Sequence, residues 1–453
     1  MDRYRYHESF FAVLSIFCRK RIYIEMENKR ILKNASWIVM GRLFQMVLSL
    51  LTGIITARYL GPSNYGLINY SASYIAFFSA ICTLGLDSII VNEVIEHSEN
   101  EEEIVSTIVF LRVLAGAVSI VLVQGVVIFT NPNQEILYNV NLIQSLQLLF
   151  AAFNTFSYWL QSRLESKITS LVQSFAYFVV FIYKVGILIA RKSVIWFAMS
   201  NTLDLIIIAV ILFAIYLKKG KRFKLDLKLV KPLIDKGKPF LFSAVMLVVY
   251  QQTDKLMLGK MLNTSAVGLY SAALRLCDIY AFIPVAIIDT LRPVIVSEKR
   301  KSNIQYGNRL IQAYGSLIWI SLMCCSFVSM FSKLGILLVY GESYIEASKT
   351  LTIAIWYTGF SYIGGINNIW LICENKQRYV AVTTFVGAIS NVLMNAVLVP
   401  VWGINGAALA TLFTQVFSNI ILCLFIEDMR PILKYIFNGF DIRKVLNMWR
   451  GRF

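Results

Sequence analysis

Runs of about twenty apolar residues recur along the whole chain, and this pattern constrains the fold more than any other feature. A bilayer core about 30 Å thick takes roughly 20 apolar residues to cross as a helix. By that ruler the sequence holds about twelve candidate crossings. They fall at 35–59, 67–86, 105–129, 140–160, 168–190 and 194–217, then at 240–262, 267–296, 310–331, 347–373, 379–399 and 404–429. The run 336–340 is too short to cross and is expected to extend or cap the ninth helix. Composition closes off the soluble alternative. The chain is 57% hydrophobic and 15% charged, whereas a soluble domain carries about a quarter charged residues. The expected fold class is all-α integral membrane.

The net charge of +17 does not point to nucleic acid, because the basic residues sit mainly in short gaps between apolar runs. Loop lysine and arginine set orientation. With the N-terminus inside, the cytoplasmic set includes Arg19, Lys20, Arg21, Lys29, Arg30, Lys33, the lysines of 218–238, Lys299, Arg300, Lys301 and the basic tail. The outer set is only Arg191, Lys192, Lys333 and Lys349. This asymmetry predicts an even number of crossings in the plasma (inner) membrane, with both termini cytoplasmic. Residues 9–18 form an apolar run too short to span, which reads as an interfacial helix; Met26 is an alternative start.

The chain divides at the basic stretch. Residues 1–33 form an N-terminal segment, 34–217 and 240–429 two lobes of six helices each, 218–239 a basic connector, and 430–453 a basic tail. The connector is expected to lie as an amphipathic element on the acidic inner leaflet. Leu60-Gly-Pro-Ser-Asn-Tyr-Gly-Leu67 after the first run matches Leu262-Asn-Thr-Ser-Ala-Val-Gly-Leu269 after the seventh. The same turn at the same topological place predicts two parallel repeats. No segment outside the apolar runs approaches the usual domain minimum of about 50 residues. There is no Gly-rich phosphate loop and no DxD pair, so a nucleotide-driven pump and a glycosyltransferase are excluded. His7 and His97 lie outside the runs, and the cysteines have no CxxC spacing. Neither a catalytic histidine, a metal site nor a cofactor is expected.

Ionisable residues in the apolar layer are costly and mark pathways or partners. The embedded cations are Arg42, Arg58, Arg112, Lys184, Lys255, Arg275 and Arg292, and the anions Asp87, Asp204, Asp254, Asp278 and Asp289. Arg58 and Arg292 lie near run ends and could snorkel to headgroups. Arg275 and Asp278, three apart, could neutralise each other, and Asp254 could balance Arg275. Arg42, Arg112 and Lys184 have no local partner in sequence and are the better cavity candidates. Asn391 with Asn395, and Asn367 with Asn368, read as interhelical hydrogen-bonding groups. The excess of cations from both lobes predicts an electropositive central cavity suited to an anionic substrate.

Several motifs resemble those of bacterial polysaccharide (O-antigen type) flippases. They include Asn34-Ala-Ser-Trp, Ala57-Arg-Tyr-Leu-Gly-Pro-Ser-Asn-Tyr-Gly66 and Thr83-Leu-Gly-Leu-Asp-Ser. In the second half, Asp254-Lys-Leu-Met-Leu-Gly259, Val267-Gly-Leu-Tyr-Ser-Ala-Ala and Tyr340-Gly-Glu-Ser-Tyr-Ile-Glu-Ala347 belong with them, as does Pro400-Val-Trp-Gly-Ile-Asn-Gly-Ala-Ala-Leu-Ala-Thr411. The resemblance covers about residues 27–430. It implies the multidrug/oligosaccharidyl-lipid/polysaccharide exporter superfamily, two six-helix lobes around a central cavity, and alternating access. The implied substrate is an undecaprenyl-pyrophosphate-linked oligosaccharide, moved to the outer leaflet without enzymatic chemistry. A coupling proton or sodium ion, membrane lipids, polysaccharide polymerase and chain-length proteins are its implied partners. Arg42, Arg58, Arg112, Lys184, Lys255 and Arg275 are then the expected substrate-binding residues, since guanidinium groups hold phosphate oxygens in pairs. Asp254 and Asp278 are the expected structural ion-pair or coupling residues. The alternatives are a cation-coupled multidrug exporter of the same superfamily, which would use acidic residues in an apolar cavity, and a membrane polysaccharide polymerase or ligase, which would carry a large outer loop.

Overall fold

The computed structural model describes the backbone of residues 3–449 and the side chains from residue 36 onward, residue 282 apart. The interfacial helix expected at 9–18 and the start at Met26 lie outside the described side chains. No strand occurs among the described residues. The long helical segments are α1 (Arg3–Cys82), α2 (Glu101–Thr130), α3 (Glu135–Ser162), α4 (Ser166–Ile189), α5 (Val194–Lys218) and α6 (Val230–Met261). They continue as α7 (Thr264–Lys301), α8 (Asn303–Tyr340), α9 (Ala347–Cys373) and α10 (Arg378–Phe425), before two short tail helices, α11 (Arg430–Gly439) and α12 (Ile442–Trp449).

Among the described residues, seven helices are long and apolar enough to cross a membrane, or eight when the bent α7 is counted as one span. The twelve expected from sequence are not reached by this count. Polar side chains dilute the apolar runs of α6, which carries Asp254 and Lys255, and of α9, which carries Asn367 and Asn368. Two of the seven are about twice as long as one crossing requires: 47 residues for Ser36–Cys82 and 48 for Arg378–Phe425. Each is broken by a glycine at positive φ, Gly61 at 70° and Gly403 at 56°. Gly61 is followed by Pro62, which has no N–H and suits the first turn of the helix that resumes. The run expected as continuous at 140–160 is interrupted, with a 3-10 turn at Ala151–Asn154 inside α3. The run 336–340 does extend the ninth crossing, as the last turn of α8.

Large apolar side chains stand bare on the outside of these helices; Phe129 is 89% exposed and Val121 72%. An apolar belt of this kind is tolerated only against lipid, and the protein is a multi-pass membrane protein. Inside, one buried cluster runs from Ala57 and Tyr70 through Val127, Tyr270 and Ile355 to Ala408. A second, around Trp159, Phe156 and Tyr216, belongs to the first half apart from Leu233, and a third, around Tyr314, Trp370 and Met429, belongs to the second half.

The two matched turns meet each other. A Cβ on Gly66 would lie 1.7 Å from the Thr264 carbonyl oxygen, and one on Gly268 would lie 2.0 Å from that of Pro62. The backbones therefore touch where only glycine fits, a small-residue contact typical of membrane helices. The Ser63 and Thr264 hydroxyls lie 3.4 Å apart across this seam. Just behind it, the Tyr344 hydroxyl donates to the Ala57 carbonyl at 2.8 Å and its ring packs edge-on to Tyr65.

Four of the connector's cations pair with carboxylates of the first half. Lys236 meets Glu93 at 2.5 Å, Lys224 meets Glu102 at 3.2 Å, Lys221 pairs with Glu101 and Lys219 with Glu165. Its backbone docks as well: the Lys224 amide donates to Ser106 Oγ at 3.0 Å and that of Asp226 to Thr107 Oγ1 at 3.2 Å. The basic tail is also folded down. Ile432, Leu433, Ile436 and Val445 are buried, and Trp449 Nε1 donates to Ser316 Oγ on α8 at 3.0 Å.

Candidate substrate cavity and its charged groups

The six cations expected to bind substrate fall into three separate settings. Lys184 of α4, Lys255 of α6 and Arg275 of α7 form one group, in which Arg275 is an electrostatic neighbour of both lysines. Its guanidinium lies along α1, donating to the Ser49 carbonyl at 2.9 Å and to the Ser49 hydroxyl. Gly53, one turn on, leaves the space: a Cβ there would sit 3.4 Å from Arg275 Nε. Arg275 thus ties the second half of the chain to the first. Three carboxylates share this neighbourhood: Asp204 beside Lys184, Asp278 beside Lys255 and Arg275, and Asp254 beside Lys255. Lys184 has no local partner in sequence, and the fold brings Asp204, twenty residues along on the next helix, into its electrostatic neighbourhood. Arg275 and Asp278 are neighbours, yet no ion-pair contact within 4.0 Å joins them among the described residues. Tyr65 and Tyr340 flank the group on the seam side and feel both residues.

Arg42 and Arg112 occupy a second setting within the first half. Arg42 is exposed and lines a cavity of about 280 Å³ with Gln45, Asn154, Ser157, Tyr158 and Gln173. Arg112 lies behind it in a smaller pocket that shares Asn154 and Tyr158. Contrary to the sequence expectation, Arg112 is fully engaged on one edge. It is ion-paired with Asp87 and donates to Thr155 Oγ1 at 3.2 Å and to the Thr83 carbonyl at 3.4 Å. Asp87 lies outside the helix that carries Arg112, in the turn Leu86–Ser88, so helical spacing could not reveal the pair. Arg58 is the third setting: exposed at the helix end and donating to the Leu338 carbonyl at 3.2 Å. It is part of the seam, not of either polar cavity.

Asp254 does not balance Arg275. It is 5% exposed and accepts hydrogen bonds from neutral groups alone among the described contacts. These come from Asn395 Nδ2 at 2.7 Å, Asn391 Nδ2 at 3.1 Å, Thr411 Oγ1 at 2.6 Å and the Tyr270 hydroxyl. The two asparagines are interhelical groups as expected, but their shared target is this carboxylate. Asn367 accepts from the Tyr314 hydroxyl at 2.7 Å and donates to the Asn419 carbonyl at 2.9 Å, whereas Asn368 lines a pocket instead. No cluster of three or more potential metal ligands from His, Cys, Asp and Glu occurs among the described residues.

The chain thus forms a helical membrane body with ionisable side chains gathered inside it and matched turns in backbone contact. The solved structures agree on the fold. The lipid II flippase MurJ in an inward closed conformation superposes with a TM-score of 0.73, at 15% identity, over 92% of each chain. An inward-facing multidrug resistance MATE transporter of the MOP superfamily superposes with a TM-score of 0.66, at 13% identity, over 86% of this chain and 96% of its own. In sequence, residues 31–299 match the family of polysaccharide biosynthesis proteins. That is more than half of the chain, and the protein belongs to this family. A protein named probable flippase AglR, from Haloferax volcanii, is 23% identical over 175 residues, 38% of this chain and 37% of the relative. The match thus spans little more than a third of that relative's length.

Proposed function

We propose that the protein is a flippase that carries an undecaprenyl-pyrophosphate-linked oligosaccharide from the cytoplasmic to the outer leaflet of the inner membrane by alternating access. The chain then crosses twelve times, with lobes at 34–217 and 240–429, both termini cytoplasmic and the Gly66–Gly268 seam at the outer end. The observation that carries this reading is the Lys184, Lys255 and Arg275 group, which gathers cations from both halves in the apolar layer, with Asp204, Asp278 and Asp254 as acidic neighbours. A diphosphate is the headgroup this arrangement suits, because it can take two or more charged donors at once. Arg42 serves as a further cation on the entry side. Arg112 and Arg58 act as structural supports, through Asp87 and through the seam.

Asp254 serves in coupling. It is a buried carboxylate whose four described donors are all neutral, which leaves its charge to be met by a coupling cation. Driving force also comes from the substrate, since an anion moving outward through an inside-negative potential gains about 2.3 kcal/mol per charge per 100 mV. A multidrug exporter is less well served by three clustered cations, and polymerases and ligases need reactive outer loops that this chain lacks. The test is deletion of the gene followed by complementation. Loss should remove surface polysaccharide and accumulate the lipid-linked precursor. Lys184→Ala with Lys255→Ala should reproduce that loss at a normal level of membrane-inserted protein. Full surface polymer in the double variant refutes the assignment.

A further inference from the structure

The repeats carry polar pockets at corresponding places, and the pockets differ in charge. The register that matches Leu60 with Leu262 sets Gln45 against Leu247. These two residues line, respectively, the Arg42 pocket and a second pocket of about 230 Å³ between α6, α9 and α10. The second is walled by Tyr250, Ser361, Asn368, Thr383, Gln415 and Asn419, and no Asp, Glu, Lys or Arg lines it. Two features mark its wall as unsatisfied. Ser418 is 7% exposed and its hydroxyl has no hydrogen-bond partner, a condition rare for buried polar groups. The same residue sits in a π-helical turn, Phe417–Ile421, a distortion found mostly at functional sites.

We propose that this pocket is a saccharide subsite that holds an uncharged sugar residue of the transported lipid. The inference rests on the flippase reading above and adds a division of labour between the halves. Side-chain amides and hydroxyls can exchange hydrogen bonds with sugar hydroxyls in both directions, and the Tyr250 ring offers an apolar face for the sugar's C–H groups. With no cation in the wall, the diphosphate gains nothing here and is left to Lys184, Lys255, Arg275 and Arg42. An apolar guest would leave the Asn368 amide and the Ser418 hydroxyl unpaired, which a site built of hydrogen-bonding groups penalises strongly. The subsite also adjoins the coupling carboxylate. Tyr250 lies one turn before Asp254 on α6, and Gln415 one turn after Thr411 on α10. Filling the pocket therefore bears on the same helical turns that hold Asp254.

The test uses the full chain in lipid nanodiscs, titrated by native mass spectrometry with two probes. One is the undecaprenyl-pyrophosphate-linked oligosaccharide that accumulates in cells lacking the protein; the other is undecaprenyl pyrophosphate without sugar. The wild type should prefer the glycosylated lipid by about tenfold or more. Asn368→Leu and Tyr250→Phe should each erode that preference by about three- to tenfold, the worth of a hydrogen bond, and leave affinity for the sugar-free lipid unchanged. Neither side chain has a described hydrogen bond within the protein, and Tyr250→Phe keeps the ring, so both variants should fold. An undiminished preference in both folded variants, or a wild type indifferent to the sugar, overturns the subsite and leaves the flippase standing. A wild type that binds neither lipid overturns the flippase reading and the subsite with it.

Discussion

Adding one methyl group at Gly66 should shift the protein away from the conformation described here. The Cβ of Gly66→Ala would lie 1.7 Å from the Thr264 carbonyl oxygen and 2.7 Å from the Gly268 nitrogen. Ordinary contacts of that kind lie near 3.4 Å, so the seam must open by roughly 1.5 Å, and both offending atoms are backbone that cannot rotate aside. Overpacking of this sort costs about 1–3 kcal/mol. If the seam separates in the opposite transport state, that cost is levied on one state alone and moves the equilibrium roughly 5- to 150-fold. The readout is labelling of Ser63→Cys, beside the seam, with a membrane-impermeant maleimide added to intact cells. Labelling should rise sharply in the Gly66→Ala background. Gly268→Ala, whose Cβ would lie 2.0 Å from the Pro62 carbonyl oxygen, should act alike. The double variant should fall well short of the sum, because the first methyl already opens the gap the second needs. Unchanged labelling in both single variants, at normal protein levels, refutes the seam as a gate; strict additivity refutes the shared gap.

Three further outcomes are expected. Asp87→Ala should destabilise the protein more than Arg112→Ala, because it strands a guanidinium 4% exposed, whereas the reverse change strands a carboxylate 37% exposed. Thermal unfolding in detergent should report about 3–5 kcal/mol for the first and clearly less for the second; the opposite ranking contradicts the buried pair. Sodium should raise the melting temperature of the wild type, and Asp254→Asn should abolish that shift; a shift retained in the variant removes Asp254 from coupling. Glu101→Gln combined with Glu102→Gln should loosen the connector and speed tryptic cleavage at Lys221 and Lys224 in inside-out vesicles. Equal rates in the variant and the wild type would rule out this pairing as what holds the connector.

Much of this protein is legible in its sequence, because lipid imposes a rule that acts on each segment separately. A crossing helix must satisfy its own backbone hydrogen bonds and be apolar over a fixed length, so the long helices and the extension at 336–340 are visible without tertiary information. The Leu60–Leu67 and Leu262–Leu269 match is visible for a related reason, since a repeated short motif is written locally, although the backbone contact that requires Gly66 and Gly268 is tertiary. What was hidden is partnership. Arg112 and Asp87, Lys184 and Asp204, and Asp254 with Asn391, Asn395 and Thr411 lie between 20 and 157 residues apart. Opposite charges attract wherever the fold brings them, and nothing in linear spacing records that meeting. The connector shows the same limit: nothing local in its sequence says that Lys221 and Lys224 meet Glu101 and Glu102, a pairing that only packing against α2 reveals. Segment length and apolarity are properties each stretch of chain owns alone. Which buried charge stays free for a ligand is a property of all the helices together, so it was settled only when they packed.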